Sequence, residues 1–238
     1  MKISIVVPCF NEEKTIPLFF DEVEKFKGAH EFEYLFIDDG SKDGTLQAIK
    51  QLAGKYPYVR FISFSRNFGK EAALYAGLQA STGELITVMD VDLQDPPELL
   101  PVMIEKITTT DIDCVGTRRS TREGEPVLRS FFARAFYRLI NKISDTEMVD
   151  GARDFRLMTR QMVDAVLELT EYNRFSKGLF SWVGFKTEYI SFENRERVAG
   201  ETSWSFWKLF NYSIDGIINF SDAPLTIASF VGCLLYTS

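Results

Sequence analysis

Leu85-Ile86-Thr87-Val88-Met89-Asp90-Val91-Asp92 is an apolar run that ends in two acidic residues. The run predicts a buried strand, and the two carboxylates follow at positions i and i+2, where the strand runs out into a loop. Open α/β sheets bind ligands beyond the carboxyl ends of their strands, and Mg²⁺ is often held by one or two carboxylates together with substrate phosphates. The stretch therefore predicts a site for a divalent cation, although Asp-x-Asp triplets are also common in turns.

Two earlier strands also end in acidic loops. The predicted strand Ile3–Val7 leads into Pro8–Glu13, and the predicted strand Phe32–Ile37 leads into Asp38–Ser41. Three acidic strand ends on one sheet edge would build one cleft, in which a carboxylate can accept a hydrogen bond from the N–H of a nucleobase. In the first loop, Asn11 is a candidate cap for the helix that follows.

Alternation of strands and helices predicts the fold class. Two further apolar runs are read as strands, Val59–Phe64 and Asp113–Gly116. Helical patterns fall between the strands, at Ile16–Phe26, Thr45–Leu52, Lys70–Ala80 and Leu99–Ile107. Such alternation over residues 1–120 indicates an α/β fold, with a Rossmann-like, mostly parallel sheet flanked by helices.

Composition excludes several functional classes. The 238 residues carry a net charge of −7, which argues against a general nucleic-acid binder, since such a protein needs a basic surface. The only histidine is His30, which lies in a polar stretch. This argues strongly against a histidine-based triad or a histidine-rich metal site, so carboxylates must carry any metal chemistry. Cys9, Cys114 and Cys233 lack metal or redox spacing and are interpreted as reduced cysteines of a cytosolic protein.

Segments in the second half of the chain are typical of membrane association. Val127–Ile143 combines an apolar stripe with cationic residues at every fourth position of another face, Arg134, Arg138 and Lys142. Such a helix can lie on an anionic membrane surface, although taken alone an ordinary surface helix is the simpler interpretation. Ser205–Phe220 is too apolar for a simple surface helix, and nearby tryptophans suit a membrane interface.

The two ends of the chain differ in character. Met1–Pro8 lacks the features of a signal peptide. Pro224–Tyr236 is mostly apolar but spans only thirteen residues, fewer than the ~20 that cross a bilayer. We therefore expect a longer protein whose membrane segment is cut short here.

Five short segments occur in a fixed order along the chain. They are Val7–Glu13, Asp38–Thr45, Ser65–Glu71, Asp90–Glu98 and Asp154–Met158. Together they resemble the family 2 inverting glycosyltransferases with the GT-A fold, and within that family the polyprenyl-phosphate glycosyltransferases of the dolichyl-phosphate mannose synthase and bacterial GtrB type. The resemblance extends over nearly the whole chain, and five segments in register argue against chance.

The resemblance implies a donor site for a nucleotide sugar, with UDP as the preferred nucleotide and Mg²⁺ or Mn²⁺ as the cation. The implied residues of the nucleotide-sugar pocket are Pro8, Phe10, Glu12, Asp38, Asp39, Lys70, Asp90 and Val91. The implied metal-binding residues are Asp90, Asp92 and Gln94. Two alternatives stay open, because Asp38 and Asp39 can belong to a capped turn and Lys70 to a solvated loop.

The resemblance also implies arginines that bind the phosphate of a lipid acceptor. Arg118 and Arg129 are assigned to this role, and Arg119 and Arg134 are the alternatives. Guanidinium groups suit it because they bind phosphate oxygens bidentately and keep their charge.

The implied catalytic residues are Asp92, Asp154 and Arg197. Arg197 would face the donor diphosphate, but the family usually has a lysine where this chain has Ser203, so one positive charge is absent or supplied by another residue such as Arg195. Asp154 holds the position of a general base for a hydroxyl acceptor. With an acceptor phosphate that is already anionic, Asp154 could instead orient a substrate or make only a structural hydrogen bond.

We therefore expect a hexosyltransferase that moves a sugar to an undecaprenyl-type phosphate at the cytoplasmic face of the plasma membrane. Its expected parts are a catalytic domain (residues 1–203), an amphipathic membrane-interface region (204–223) and the start of a transmembrane segment (224–238). The alternatives are a family 2 enzyme acting on a saccharide hydroxyl in polysaccharide or cell-wall synthesis, and a non-catalytic sugar-nucleotide binder. The sequence decides neither the sugar nor whether the chain forms a homo-oligomer.

Overall fold

The computed structural model describes residues 1–120, 138, 140–142, 149, 151–171, 174–193, 214 and 216–237. The chain divides into two compact units. The first comprises Met1–Thr121, Gly151–Thr170 and Phe185–Thr202, and the second comprises Arg122–Asp150, Glu171–Gly184 and Ser203–Ser238. All the candidate site residues within the described ranges belong to the first unit.

The first unit is built on one sheet. Its described strands are β1 (Lys2–Cys9), β2 (Glu31–Asp38), β3 (Val59–Ser63), β4 (Leu85–Val88), β5 (Cys114–Arg119), β6 (Ala152–Thr159) and β7 (Thr187–Phe192), in the spatial order β3-β2-β1-β4-β6-β5-β7. β1 pairs in parallel with β2 and β4, β2 with β3, and β5 with β7. β6 runs antiparallel to both β4 and β5. The predicted mostly parallel α/β sheet is confirmed, with one reversed strand.

Helices connect these strands much as the periodicity predicts. In the first unit they are α1 (Thr15–Glu24), α2 (Thr45–Lys55), α3 (Lys70–Ala80), α4 (Leu99–Thr109) and α5 (Arg160–Glu168). α1 buries Ile16, Phe19, Phe20 and Val23, the apolar stripe that identified it, and α3 has the bounds predicted for it.

Close packing holds α3 against the sheet. A Cβ atom added to Gly77 of α3 would lie 2.3 Å from Cγ1 of Val6 in β1, so only glycine permits this approach. All four residues of β4 are buried, as are Ile3–Val7 of β1. Helices covering a parallel sheet on both faces explain why these strands are nearly continuous apolar runs.

A buried carboxylate, Glu33 of β2, joins several elements at the amino edge of the sheet. It accepts hydrogen bonds from Ser4 Oγ at 2.6 Å, from Arg60 Nη1 at 2.9 Å and from the backbone N–H of Thr82 at 3.0 Å. Burial raises the pKa of Glu33, but these hydrogen bonds outweigh burial and lower the pKa to about 2. Glu33 thus links β1, β2, β3 and the turn before β4.

The second unit contains α6 (Ser176–Trp182) and α7 (Ala223–Thr237). α7 exposes large apolar side chains, among them Leu225, Phe230 and Leu235. Within the described ranges, no helix combines the length and the apolar character needed to cross a bilayer. The predicted amphipathic segments 127–143 and 205–220 lie mostly outside the described residues.

Candidate active site

The three acidic strand ends meet at the carboxyl edge of the sheet. β1 lies between β2 and β4, and its last residue, Cys9, pairs with Asp38 of β2. On the other side, the N–H of Met89 donates to Val6 of β1 at 3.0 Å, and Asp90 follows directly. The polar loops after β1, β2 and β4 therefore begin side by side.

Hydrogen bonds join the first two of these loops to each other. Asn11 accepts the N–H of Lys42 through its side-chain oxygen at 2.9 Å and donates its own N–H to Ser41 Oγ at 3.0 Å. Glu13 accepts the N–H of Gly44 at 2.8 Å. The prediction that Asn11 caps α1 is wrong, because its amide reaches the neighbouring loop and α1 has no side-chain cap at its start.

Pro8, Phe10 and Glu12 line the start of the first loop. Pro8 is still part of β1 and Phe10 follows it, both partly buried. The N–H of Glu12 donates to Thr45 Oγ1 at 2.6 Å, and its carboxylate accepts from the hydroxyl of Thr15. The backbone of this loop is thus fixed.

Asp38 is tied into a turn. Its Oδ1 accepts the N–H of Ser41 at 3.0 Å and its Oδ2 accepts from Ser63 Oγ at 2.8 Å, and the residue is 1% exposed. Gly40 within the turn has a φ of +67°, and a Cβ there would lie 2.4 Å from the carbonyl carbon of Arg66. The turn and the segment carrying Arg66 therefore pack backbone to backbone, which only glycine allows.

Asp39 positions the segment that carries Arg66 and leads into α3. Its Oδ1 accepts the N–H of Phe68 at 2.7 Å and its Oδ2 the N–H of Gly69 at 2.9 Å. Burial raises the pKa of Asp39, a shift that the two N–H groups oppose and the nearby Asp38 reinforces. Asp39 therefore holds the turn from which α3 begins at Lys70.

Lys70 bridges two carboxylates. Its ammonium nitrogen lies 2.6 Å from Oδ1 of Asp90 and 2.9 Å from Oδ2, and 2.5 Å from Oδ2 of Asp154. Burial lowers the pKa of Lys70, but the two carboxylates outweigh burial and raise the pKa above its usual value. The site thus contains a cation shared between β4 and β6.

The reversed strand β6 explains how Asp154 reaches this cluster. Arg156 of β6 pairs with Val88 of β4. Because the strands are antiparallel, Asp154 and Asp90 extend two residues beyond this pair toward the same edge. Both residues belong to segments singled out in the sequence, but local sequence patterns predict neither β6 nor the contact between Lys70 and Asp154.

The Asp90–Asp95 segment is compact. Val91 and Asp92 are buried, Leu93 has a φ of +57°, and the N–H of Gln94 donates to Asp92 Oδ1 at 3.1 Å. At its end, Asp95 accepts from Arg153 Nε at 2.7 Å.

The Asp95–Arg153 pair does not follow from the sequence pattern, although Asp95 lies in the acidic segment Asp90–Glu98. Asp95 is 1% exposed. Burial raises its pKa to about 6, a shift that Arg153 opposes and Asp90 reinforces. Since Arg153 directly precedes Asp154, the pair anchors β6 beside the loop that follows β4.

The ligand atoms of the Asp90–Asp95 segment suit a hard divalent cation. Asp90, Asp92 and Gln94 offer only oxygen ligands, which Mg²⁺ and Mn²⁺ prefer. Among the described residues, no group of three or more His, Cys, Asp or Glu side chains is arranged to hold a metal ion. Three oxygen ligands from Asp90, Asp92 and Gln94 would leave coordination positions that the phosphates of a substrate can fill.

The residues assigned to the acceptor are described only in part. Arg118, near the end of β5, is exposed and donates through Nε to Ser191 Oγ at 2.9 Å. The alternative residue Arg119 donates its N–H to the carbonyl oxygen of Gly151 at 3.2 Å. Arg129, Arg134 and Arg197 lie outside the described residues.

Comparison of the sequence with known proteins identifies its relatives. Residues 4–167 match the model of glycosyl transferase family 2. The chain is 46% identical to the prophage bactoprenol glucosyl transferase homolog of Escherichia coli K12, covering 99% of this chain and 77% of that protein. It is 45% identical to the bactoprenol glucosyl transferase of Shigella phage SfX, covering 98% of this chain and 76% of that protein.

A solved structure shows the same fold. Glucosyl-3-phosphoglycerate synthase from Mycobacterium tuberculosis, in complex with Mn²⁺ and UDP-glucose, superposes with a TM-score of 0.57. Its sequence is 21% identical, and the match covers 90% of this chain and 75% of that one. The likeness confirms the predicted GT-A-type architecture.

Proposed function

Because the chain belongs to glycosyl transferase family 2, we propose that it moves a sugar from a nucleotide sugar to a polyprenyl phosphate. The similarity to bactoprenol glucosyl transferases, 45% to 46% identical over nearly the whole chain, supports the lipid acceptor. The structural observation that carries the proposal is the cluster of Lys70, Asp90 and Asp154 at the carboxyl edge of the sheet. A donor diphosphate would bind at this edge, where polar loops surround the strand ends.

The proposed donor is a UDP-sugar bound by the loops after β1, β2 and β4. Glucosyl-3-phosphoglycerate synthase, which shares the fold, was crystallised with Mn²⁺ and UDP-glucose. We propose that this chain binds the same two kinds of ligand. Asp90, Asp92 and Gln94 would hold Mg²⁺ or Mn²⁺, which when bound would neutralise charge on the diphosphate. Asp38 and Asp39 shape the proposed pocket for the nucleobase. Asp38 holds the turn after β2, and Asp39 holds the turn before α3.

The proposed reaction is an inverting displacement. An oxygen of the acceptor phosphate attacks the anomeric carbon, the bond from that carbon to the diphosphate oxygen breaks, and the nucleoside diphosphate leaves. The ammonium of Lys70 adds positive charge beside the departing diphosphate, and Arg197 is assigned the same role. A phosphate acceptor is already ionised near neutral pH, so Asp154 is expected to orient a substrate rather than remove a proton.

The acceptor phosphate is assigned to Arg118 and Arg129. Arg118 presents an exposed guanidinium near the end of β5, which leaves it accessible to a ligand. The division into a catalytic domain, a membrane-interface region and a membrane segment, and the location at the cytoplasmic face of the plasma membrane, belong to the same proposal.

Transfer to a defined acceptor tests the function. The chain in detergent would be supplied with a panel of UDP-sugars, a short polyprenyl phosphate, and Mg²⁺ or Mn²⁺. We expect a glycosyl polyprenyl phosphate as product with at least one sugar. Transfer to a saccharide hydroxyl with none to the lipid phosphate would refute the proposal in favour of polysaccharide synthesis.

A further inference from the structure

One ammonium group lies between the carboxylates of Asp90 and Asp154 and balances part of their negative charge. Lys70 contacts both oxygens of Asp90 and one oxygen of Asp154. The three side chains are only 20% to 28% exposed, so water screens these contacts less than it would on an open surface.

The position of this ammonium is fixed by the backbone. Lys70 is the first residue of α3, and the N–H groups of the two residues before it are bound by Asp39. Gly69 has a φ of +96°, a conformation that suits glycine and sets the direction in which α3 starts. Lys70 is therefore directed to the carboxylates by a turn that is itself anchored.

We infer that Lys70 competes with the divalent cation for Asp90, so that the cation binds tightly only together with a diphosphate. This inference rests on the proposed function, in which Asp90 is a metal ligand. A cation that approaches Asp90 meets a carboxylate whose charge is already partly balanced by an ammonium 2.6 Å away, and a cation bound to the same carboxylate would repel that ammonium. A donor diphosphate supplies both oxygen ligands for the cation and a new anionic partner for Lys70.

Binding of Mn²⁺ alone, measured by calorimetry or by electron paramagnetic resonance without nucleotide, tests the competition. We expect Lys70→Met to bind Mn²⁺ at least about tenfold more tightly than the wild type, because the competing charge is gone. Lys70→Arg keeps the charge and should bind Mn²⁺ as weakly as the wild type. Lys70→Gln is the second neutral variant, for use if Lys70→Met does not fold.

Two controls define the cause of any gain in affinity. Lys186→Met removes the same charge from an exposed pair with Asp111 and should leave Mn²⁺ binding unchanged. Asp90→Asn in the Lys70→Met background should abolish the gain. Unchanged affinity in the neutral variants, an equal gain in Lys186→Met, or a gain that survives Asp90→Asn would each overturn the inference.

The same measurements separate this inference from the proposed function. UDP added to the wild type should tighten Mn²⁺ binding at least about tenfold, and should do so much less in Lys70→Met. If the chain transfers sugar to the lipid phosphate but Lys70→Met binds Mn²⁺ no better, only the inference fails. If Lys70→Met binds Mn²⁺ more tightly but no transfer occurs, the proposed function fails and the competition stands.

Discussion

The carboxylate of Asp39 accepts the backbone N–H of Gly69 at 2.9 Å, joining two motifs separated by 30 residues of sequence. Its other oxygen accepts the N–H of Phe68 at 2.7 Å. One buried side chain thus determines where α3 begins and, through Lys70, where the positive charge of the site lies.

Replacing Asp39 should destabilise the protein. We predict that Asp39→Ala lowers the free energy of unfolding by about 2–4 kcal/mol, because two backbone N–H groups lose their acceptor. Asp39→Asn keeps one carbonyl oxygen and should lose about half as much. Urea denaturation measures both, with Asp21→Ala on the exposed face of α1 as the control; equal midpoints for Asp39→Ala and Asp21→Ala would show that Asp39 has no such role.

Glu33 should give the protein a stability that depends on pH. Its pKa in the folded state is about 2, below its usual value of 4.5, so its contribution is complete above pH 4.5 and is lost as the pH falls toward 2. We predict that Glu33→Gln costs about 1.5–3 kcal/mol at pH 7, the range for hydrogen bonds to a charged group. The difference from the wild type should shrink below pH 4.5.

Chemical denaturation at several pH values measures this dependence. Glu31→Gln, on the same strand but exposed, is the matched control and should follow the wild type. A cost for Glu33→Gln that stays constant from pH 7 to pH 3 would contradict the role given to the Glu33 charge.

Asp154→Asn should separate a base from an orienting residue. Loss of a general base costs about 10²–10⁴-fold in rate, whereas an ionised phosphate acceptor needs no base. We predict a fall in kcat of less than about 100-fold with polyprenyl phosphate, and a larger fall for Asp92→Asn, measured with saturating donor. A larger fall for Asp154→Asn than for Asp92→Asn, with folding intact, would indicate base catalysis.

Arg118→Ala should weaken the acceptor site alone. We expect the KM for polyprenyl phosphate to rise about tenfold or more with the KM for the donor unchanged, because a charged hydrogen bond contributes about 1.5–3 kcal/mol. Arg118→Lys should restore part of the affinity, since lysine keeps the charge but not the bidentate geometry. Lys186→Ala is the surface control; a donor KM that rises with the acceptor KM would place Arg118 elsewhere in the mechanism.

The first half of the fold could be predicted from the sequence because its signals are local. Nearly continuous apolar runs mark β1 and β4, and α3 is bounded by Gly69 and by Ser81, where the backbone becomes extended. The adjacency of the three acidic strand ends follows from the rule that parallel strands place their carboxyl ends on one edge.

The strand β6 could not be predicted in the same way. Ala152–Thr159 carries Arg153, Asp154 and Arg156 among its apolar residues, so it shows neither a continuous apolar run nor a clean alternation. Its charges are accommodated by partners far away in sequence, such as Asp95 for Arg153. Local patterns contain no information about such partners, and the Lys70–Asp154 contact, 84 residues apart, was missed for the same reason.

The insertion of β6 between β4 and β5 also determines when the protein can fold during its synthesis. β4 and β5 are made before β6, yet each borders β6 in the finished sheet. A nascent chain that has not yet emerged past Thr159 can therefore form the part of the sheet that contains β1, β2, β3 and β4. β5 remains without β6, the strand that lies between β4 and β5 in the finished sheet. The carboxyl edge that brings Asp154 to Asp90 is therefore complete only after β6 has been synthesised. If translation stalls before β6, the nascent chain has an incomplete sheet with an exposed strand edge. Such an edge would bind chaperones, and the active site would not yet be formed.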